Sequence, residues 1–468
     1  MLCNDEGFVI RLLNHFTSTN NVKEIKKLHG HLLRRGSLFS SFNIFTKLVI
    51  SCTSIESYRS NLQILTSFIS SMKFQNSLPF NMLLADFCQN GFPALAIRTC
   101  SLMHIHGMPL DSYALCSSLT AASSVKEVSF GKQVHAYLGK SGWSASVFVG
   151  SAVVGLYARS LLISDAEKAF SEILMKNSVC VNALLAGYGE AKLWVREIEL
   201  VRKMPELYLK YDSFTLTAVL CACAGLSETG LGKQVHAYVL RTTSSLETDI
   251  VMLSSLIEMY SRCGMVGKAL QVFNLSGLAF GLKQKRDVVL WTSMLGSYGR
   301  NGNYQEVIRL YHEMLMEGVR PDNVAFVTVI SACAHTGQVD LGLSYFQSMK
   351  RDFKLEPGRE HYSCVVDLLC RAGELERAVE VASAMVSKGH DVCVTLWGAL
   401  LNACKERGDV NLARMVANKA LELDPRHAGV LALLSNVYAK LGMWDEIENL
   451  TVLMKEQGVK KDAGCSWI

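Results

Sequence analysis

An all-α fold, a solenoid of helix-turn-helix hairpins, is what this sequence predicts, and three observations predict it. Apolar residues recur at helical spacing, the chain repeats itself, and no long stretch alternates apolar and polar residues as a half-buried strand would. The heptapeptide GKQVHAY stands at Gly131–Tyr137 and again at Gly232–Tyr238, 101 residues on. The same offset carries Asn81 to Asn182 and Asp111 to Asp212, and an offset near 106 carries His29 to His135. A unit of about 100 residues therefore recurs, and it divides into three smaller ones.

The smaller unit is clearest in the 35 residues from Val288 to Asp322. Trp291, Met294, Leu295 and Tyr298 have the i, i+3, i+4, i+7 spacing of an amphipathic helix. Asn301-Gly302-Asn303 breaks that pattern, and Val307, Leu310, Tyr311 and Met314 resume it. Gly318 closes the second helix and Pro321 prevents its continuation. One such hairpin cannot bury both apolar faces alone. Stacked neighbours can, so the 468 residues form one continuous array rather than the three ordinary domains their length would allow.

Composition narrows the function classes. With 50% hydrophobic and 19% charged residues the chain is too apolar for disorder. The net charge of +5 permits an anionic partner without demanding one. No apolar run approaches the ~18 residues that span a bilayer; the longest candidate, Val147–Ala158, is interrupted by Gly and Ser. The 15 cysteines include no CxxC pair, and Cys221 and Cys223 point to different sides of a helix, so they read as reduced, buried thiols in an intracellular compartment.

A two-helix period of this length fits tetratricopeptide or pentatricopeptide repeats, and the residues favour the second. DVVLWTSMLGSYGRNGNYQEVIRLYHEMLMEGVRPD resembles the standard 35-residue pentatricopeptide repeat. SSLIEMYSRCGMVGKALQVF (Ser254–Phe273) is similar to its short variant, and TAVLCACAGL with GKQVHAYVL (Thr217–Leu240) to its long one. Long repeats fall near 6–41, 112–146, 213–249 and 323–358, and short ones near 42–76, 147–177, 250–287 and 359–391. Standard repeats fall at 77–111, 178–212 and 288–322. The recurring order resembles the plant PLS subclass. The chain thus divides into an N-terminal long-type repeat (1–41), the array (42–391) and a tail (392–468) that resembles the E motif, two tetratricopeptide-like hairpins with ALELDP at 420–425. Two features depart from the pattern: Leu275–Arg286 is long enough to read as a protruding loop with a basic end, and the repeat at 178–212 has Trp194 and no mid-hairpin glycine.

The resemblance implies a right-handed superhelix that binds single-stranded RNA, one repeat per base, through the fifth residue and the last residue of each repeat. An ionised Asp only accepts hydrogen bonds, which suits the imino N–H of uracil or guanine; Asn also donates, which suits adenine N1 or cytosine N3. In this family Ser or Thr at the fifth position accompanies purines and Asn accompanies pyrimidines. The implied assignments are Thr46/Asn76, A; Asn81/Asp111, U; Ser151/Asn177, A; Asn182/Asp212, U; and Thr292/Asp322, G. Ser254/Asp287 and Ser363/Asp391 lean to G. Among the long repeats Thr217/Asp249 leans to G, while Ile10/Ser41, Cys116/Ser146 and Val327/Gly358 read as spacers. The site is then 5′-A-U-n-A-U-(g)-G-G-n-(g). An N-cap or a solvated polar residue is the alternative for any one position taken alone.

Catalytic patterns are missing from these residues. The zinc-dependent deaminase that ends some members of this subclass needs an HxE segment and CxxC ligands. Only His312-Glu313 comes near, on an ordinary second helix, and the sequence reaches its end at Gly464-Cys465-Ser466-Trp467-Ile468, where the E motif's own end resembles it. Gly232-Lys233 lacks the rest of a phosphate-binding loop. His135 and His236 recur at equivalent places, which marks packing or surface positions. The expectation is a chain that is not an enzyme, with no cofactor, no metal, no small-molecule substrate and no membrane partner.

The resemblance implies a site-recognition factor for C-to-U editing of organellar transcripts, whose E region brings a deaminase in trans. The alternatives are an RNA stabilisation, splicing or processing factor, and a protein-interaction scaffold of the tetratricopeptide kind. It implies the mitochondrion, with the plastid as alternative. MLCNDEGFVIRLLNHF carries Asp5 and Glu6 and is unlike an Arg- and Ser-rich transit peptide, so either a presequence precedes this sequence or the targeting signal is atypical.

Overall fold

The structure is a computed structural model. It describes residues 6–19, 21–34, 44, 47–48, 51, 78–143, 146–242, 246, 249–278, 286–387, 394–423 and 427–456. The chain divides into two compact units, Met1–Ala222 and Cys223–Ile468.

The first unit holds α1 (Glu6–Ser18), α2 (Val22–Arg34), α3 (Leu78–Gln89), α4 (Pro93–Ile105), α5 (Ser112–Val125) and α6 (Val128–Ser141). It continues with α7 (Val147–Arg159), α8 (Ile163–Glu172), α9 (Ser178–Glu190) and α10 (Trp194–Lys203). The division falls within α11 (Ser213–Leu226). The second unit holds α12 (Thr229–Thr242), α13 (Ile250–Arg262), α14 (Val266–Leu278), α15 (Val288–Arg300), α16 (Tyr304–Met316), α17 (Asn323–Thr336) and α18 (Val339–Arg351). It ends with α19 (Arg359–Ala372), α20 (Leu375–Ser387), α21 (Val394–Arg407), α22 (Val410–Leu423), α23 (Ala428–Lys440) and α24 (Trp444–Glu456). Among the described residues every regular element is helical, and no helix is long and apolar enough to cross a membrane.

Odd-numbered helices are the first helices of hairpins: in the first unit α7 lies against both α5 and α9, and in the second α17 lies against both α15 and α19. Trp291, Met294, Leu295 and Tyr298 of α15 and Val307, Leu310, Tyr311 and Met314 of α16 are all buried, as their spacing predicts. Burying each such side chain contributes about 1.5–3 kcal/mol. That burial, rather than helix propensity, holds helices of only three or four turns.

One turn closes every hairpin. In the hairpin 288–322 the Asn303 amide donates to the Tyr298 carbonyl at 2.9 Å, while Gly302 between them sits at φ 76°. This is the six-to-one bond of a Schellman cap, which requires a left-handed residue just after the helix. The same bond joins Phe92 to Phe87 and Leu162 to Tyr157 in the first unit, and Met265 to Tyr260 and Met443 to Tyr438 in the second. Where glycine is absent the conformation persists: Lys126, Leu161 and Lys192 take φ between 56 and 59°. The hairpin at 178–212 therefore keeps its register through Lys192, with Leu193 bonded to Tyr188 at 2.8 Å and Trp194 opening α10.

The loop expected from Leu275 to Arg286 is corrected at both ends. Helix α14 continues to Leu278, and residues 279–285 lie outside the described residues. Arg286 is no free cation: its guanidinium lies 4.9 Å from the Phe273 ring and 5.7 Å from the Trp291 ring, and it binds Glu317 at 2.6 Å. Two aromatic faces and a carboxylate hold that charge against the core.

The repeated heptapeptide has a packing cause. Gly131, Val134, His135 and Leu138 lie on one face of α6, turned to α7. A Cβ at Gly131 would collide with Leu156, and His135 Nδ1 lies 3.0 Å from the Tyr157 hydroxyl. In the second unit a Cβ at Gly232 would stand 2.5 Å from the Met259 sulfur, and His236 Nδ1 lies 2.9 Å from the Tyr260 hydroxyl. Gly342 opposes Leu368 in the same way, at 2.6 Å. In these three long repeats the fourth residue of the second helix is a glycine that lets the next hairpin approach, whereas the first long repeat has the buried Ile25 there.

At that same fourth place in other hairpins stand Ala96, Ala166, Ala269, Val307 and Ala378, all fully buried. Hairpin 178–212 carries Glu197 there instead, 2% exposed, with Oε2 unpaired. Burial pushes its carboxyl up to about 8. Folded chain therefore holds an extra proton between the ordinary carboxyl range and about pH 8. Stability falls as pH rises through that window, because the unfolded chain gives the proton up first.

Two stability measurements follow. Urea unfolding across pH 5 to 8 shows wild-type stability declining with pH, whereas Glu197→Gln flattens the profile and Glu197→Val gains about 2 kcal/mol at pH 8; equal slopes for all three would place the proton elsewhere. Gly302→Ala costs about 1 kcal/mol through its backbone alone, since nothing lies within 4 Å of the new Cβ, and Lys126→Gly gains about 0.5–1 kcal/mol.

Candidate nucleic-acid interface

The last residue of each repeat is also the N-cap of the next first helix. Asp111 Oδ1 accepts from the Ala114 amide at 2.9 Å, and Asp212 Oδ1 from the Thr215 amide at 2.8 Å. In the second unit Asp249 caps through Met252 at 3.0 Å, Asp287 through Val289 at 2.8 Å and Asp322 through Ala325 at 2.9 Å. Asn177 accepts from the Cys180 amide at 3.0 Å. Capping explains why Asp and Asn stand there, and it uses only one side-chain oxygen.

The other oxygen meets the fifth residue. Asn81 Nδ2 donates to Asp111 Oδ2 at 2.6 Å, and Asn182 Nδ2 donates to Asp212 Oδ2 at 2.8 Å. These contacts span 30 residues of sequence, and they occur in the two repeats that the 101-residue offset relates. Asn81 Oδ1 is buried without a hydrogen-bond partner. Burial alone would raise the Asp212 pKa; hydrogen bonds from the Thr215 hydroxyl and amide and from Asn182 outweigh it and hold the carboxyl below its ordinary value. The result is an ionised acceptor beside an amide with one N–H still to give.

Hydroxyls at the fifth position behave differently. Thr217 donates to the Phe214 carbonyl at 2.8 Å, Ser254 to Val251 at 3.0 Å, Thr292 to Val288 and Val289 at 3.1 Å, and Ser363 to Arg359 at 3.0 Å. With the proton turned into its own helix, each oxygen is left as an acceptor. Thr292 and Asp322 thus offer two acceptors, whereas Asn182 and Asp212 offer a donor and an acceptor. Ser151 is 6% exposed, with its hydroxyl 2.7 Å from the Val147 carbonyl, so at that repeat only Asn177 presents a polar side chain. Thr46, Asn76 and Asp391 lie outside the described residues.

The long repeats present less. Cys116 is a neutral thiol, pushed up to about 11 by burial and by the Asp111 carboxylate. Val327 is apolar, and at Gly358 the cap is replaced: its amide donates to His361 Nδ1 at 3.0 Å while His361 Nε2 reaches the Asn323 carbonyl at 3.0 Å. The described cysteines are free thiols, and among the described residues no group of three or more His, Cys, Asp or Glu is placed to hold a metal ion.

One set of residues escaped the sequence reading. Three places before the fifth position, one turn away on the same helix face, stands an exposed apolar side chain. In the first unit these are Tyr113 and Phe148, each 73% exposed, Val179 and Phe214. In the second they are Val251, Val289 and Val324, and Glu360 then replaces them. The signal was present as an apolar residue outside the core spacing, such as Val289 just ahead of Leu290 and Trp291. First helices also carry cations in their last turns, Arg159 in one unit and Arg262, Arg300 and Arg371 in the other.

Fold and site together define a helical-hairpin repeat protein with polar pairs at several of its described junctions. The E motif profile matches residues 407–468, the PPR repeat family profile 286–335, and the PPR repeat profile 251–275, 324–352 and 360–390. A mitochondrial pentatricopeptide repeat-containing protein of Arabidopsis thaliana is 32% identical over 96% of this chain and 94% of its own length. Two further pentatricopeptide repeat-containing proteins of that plant are 32% and 34% identical, over 99% and 82% of this chain. The chain spans 64% and 52% of those two relatives. The chain belongs to the pentatricopeptide repeat family. The crystal structure of the pentatricopeptide repeat protein PPR10 in complex with an 18-nt psaJ RNA element shares its fold, with a TM-score of 0.70 over 90% of this chain and 61% of that one at 16% identity. The crystal structure of PPR10 from maize gives 0.63 over 97% of this chain and 70% of its own, at 16% identity.

Capping is separable from the contact between fifth and last residues. Asp322→Ala lowers unfolding free energy by about 1 kcal/mol, Asp322→Asn leaves it within about 0.5 kcal/mol, and Asn182→Ala also changes it little. Thermal and urea unfolding measure this; a large loss in Asn182→Ala would make that contact structural.

Proposed function

We propose that this chain binds single-stranded RNA in a sequence-specific manner and acts as the site-recognition factor for C-to-U editing of an organellar transcript. The observation that carries the reading is the direct hydrogen bond between fifth and last residues in the Asn81–Asp111 and Asn182–Asp212 pairs. Uracil offers an N3–H donor beside carbonyl acceptors, matching a carboxylate beside an amide N–H. Guanine offers N1–H and N2–H donors, matching the two acceptors of Thr292 and Asp322. Exposed apolar side chains one turn away give the base faces a surface to stack on.

The expected site is 5′-A-U-n-A-U-(g)-G-G-n-(g), read from the N-terminal end with the family's polarity. Ser363/Asp391 would read its last place and Thr46/Asn76 its first. The E motif match supports recruitment: the two terminal hairpins offer a surface to a protein partner that supplies the deaminase, and no catalytic step is assigned to this chain. The mitochondrion is the proposed compartment, supported by the names of several relatives.

In filter binding, the oligonucleotide of this sequence binds at least roughly tenfold tighter than a scrambled one, and Asn182→Thr shifts preference at the fifth nucleotide from U towards G. Equal binding of both oligonucleotides would favour a protein-interaction scaffold. In a knockout line, loss of one C-to-U conversion identifies editing, whereas a changed transcript end or an unspliced intron identifies a processing or splicing factor.

A further inference from the structure

The Asn81–Asp111 and Asn182–Asp212 pairs carry the same two residues, yet the structure does not make them equal. Behind Asp212 stands Thr215, the third residue of the following hairpin, fully buried. Its hydroxyl lies 2.7 Å from Asp212 Oδ1 and 3.4 Å from Asn182 Oδ1, and its amide donates to Asp212 Oδ1 at 2.8 Å. The Asp212 amide in turn lies 3.4 Å from the Thr215 hydroxyl. At the equivalent place behind Asp111 stands Ala114, which offers only its amide, and Asn81 Oδ1 is left buried and unpaired.

We propose that Thr215 is a positioning residue for the nucleotide-facing Asn182–Asp212 pair, a third specificity determinant that the fifth and last residues do not include. The inference rests on the RNA reading above. Without the Thr215 hydroxyl, Asp212 Oδ1 would keep only the Thr215 amide as donor, and the carboxylate would be less firmly set about its Cβ–Cγ bond. Two donors on Oδ1, one from the backbone and one from a buried hydroxyl, pin that rotation and leave Oδ2 for Asn182 and the base. A pinned acceptor welcomes the N3–H of uracil and repels the N3 lone pair of cytosine. A turning one relaxes to reduce that repulsion. The Asn182–Asp212 pair therefore discriminates uracil from cytosine more sharply with the Thr215 hydroxyl than without it.

The test uses the full chain, the oligonucleotide of the proposed site, and versions with C in place of U at the second or the fifth nucleotide. Wild type prefers U over C at the fifth nucleotide. Thr215→Val, which keeps the shape and removes the donor, lowers the ratio at the fifth nucleotide roughly tenfold and leaves the second unchanged. Thr215→Ser restores it, and Ala114→Thr raises the ratio at the second nucleotide. If Thr215 only caps its helix, Thr215→Val lowers the melting temperature and weakens every oligonucleotide alike, which overturns the inference. An unchanged ratio in Thr215→Val overturns it as well, while leaving the RNA reading intact. Wild type that binds a scrambled oligonucleotide equally well removes the RNA reading, and this inference with it.

Discussion

Where an aspartate stands at a hairpin junction, its two oxygens have separate uses. One closes the backbone of the next helix, and in the two Asn–Asp repeats the other holds the fifth residue of the preceding one. Because the N-cap is tied to the first turn of its helix, the pair is placed by the same geometry that starts the hairpin. Spacing between successive pairs then follows from packing between successive first helices. A reader of single bases needs that regularity, and a helix cap supplies it without a dedicated scaffold.

Packing keeps the regularity honest. Two long repeats meet the next hairpin through a glycine and a histidine on one helix face, as Gly131 and His135 meet Leu156 and Tyr157. Schellman turns set the hairpin angle whether the left-handed residue is Gly302 or Lys192. The site thus tolerates sequence variation in the turn and little in the contact face. Glu197 is the exception, a carboxyl in a place that other hairpins fill with alanine or valine, and its burial makes 178–212 the repeat whose stability responds to pH.

Chemistry at the pairs is set by what each side chain has already committed. Amides at the fifth position keep one N–H free after meeting the aspartate, and hydroxyls give their only proton to the helix behind them. Donor–acceptor and acceptor–acceptor edges result. In the proposed reading these edges separate uracil from guanine, and they arise from local hydrogen bonding rather than from any difference in fold.

How much of this was legible beforehand depends on the range of the interaction. Helical spacing placed Trp291, Met294, Leu295 and Tyr298 in the core, and Gly302 and Gly318 at turns, because burial and backbone preference are local. The repeat offset likewise paired Asn81 with Asn182 and Asp111 with Asp212. Tertiary structure alone decided which groups already have partners: that Ser151 is buried, that Arg286 is packed between rings, that Thr215 stands behind Asp212 while Ala114 stands behind Asp111, and that Glu197 lies in a core position. A hydrogen bond between residues 30 or more apart depends on how one hairpin seats against the next, and no periodicity within a single helix encodes that seat.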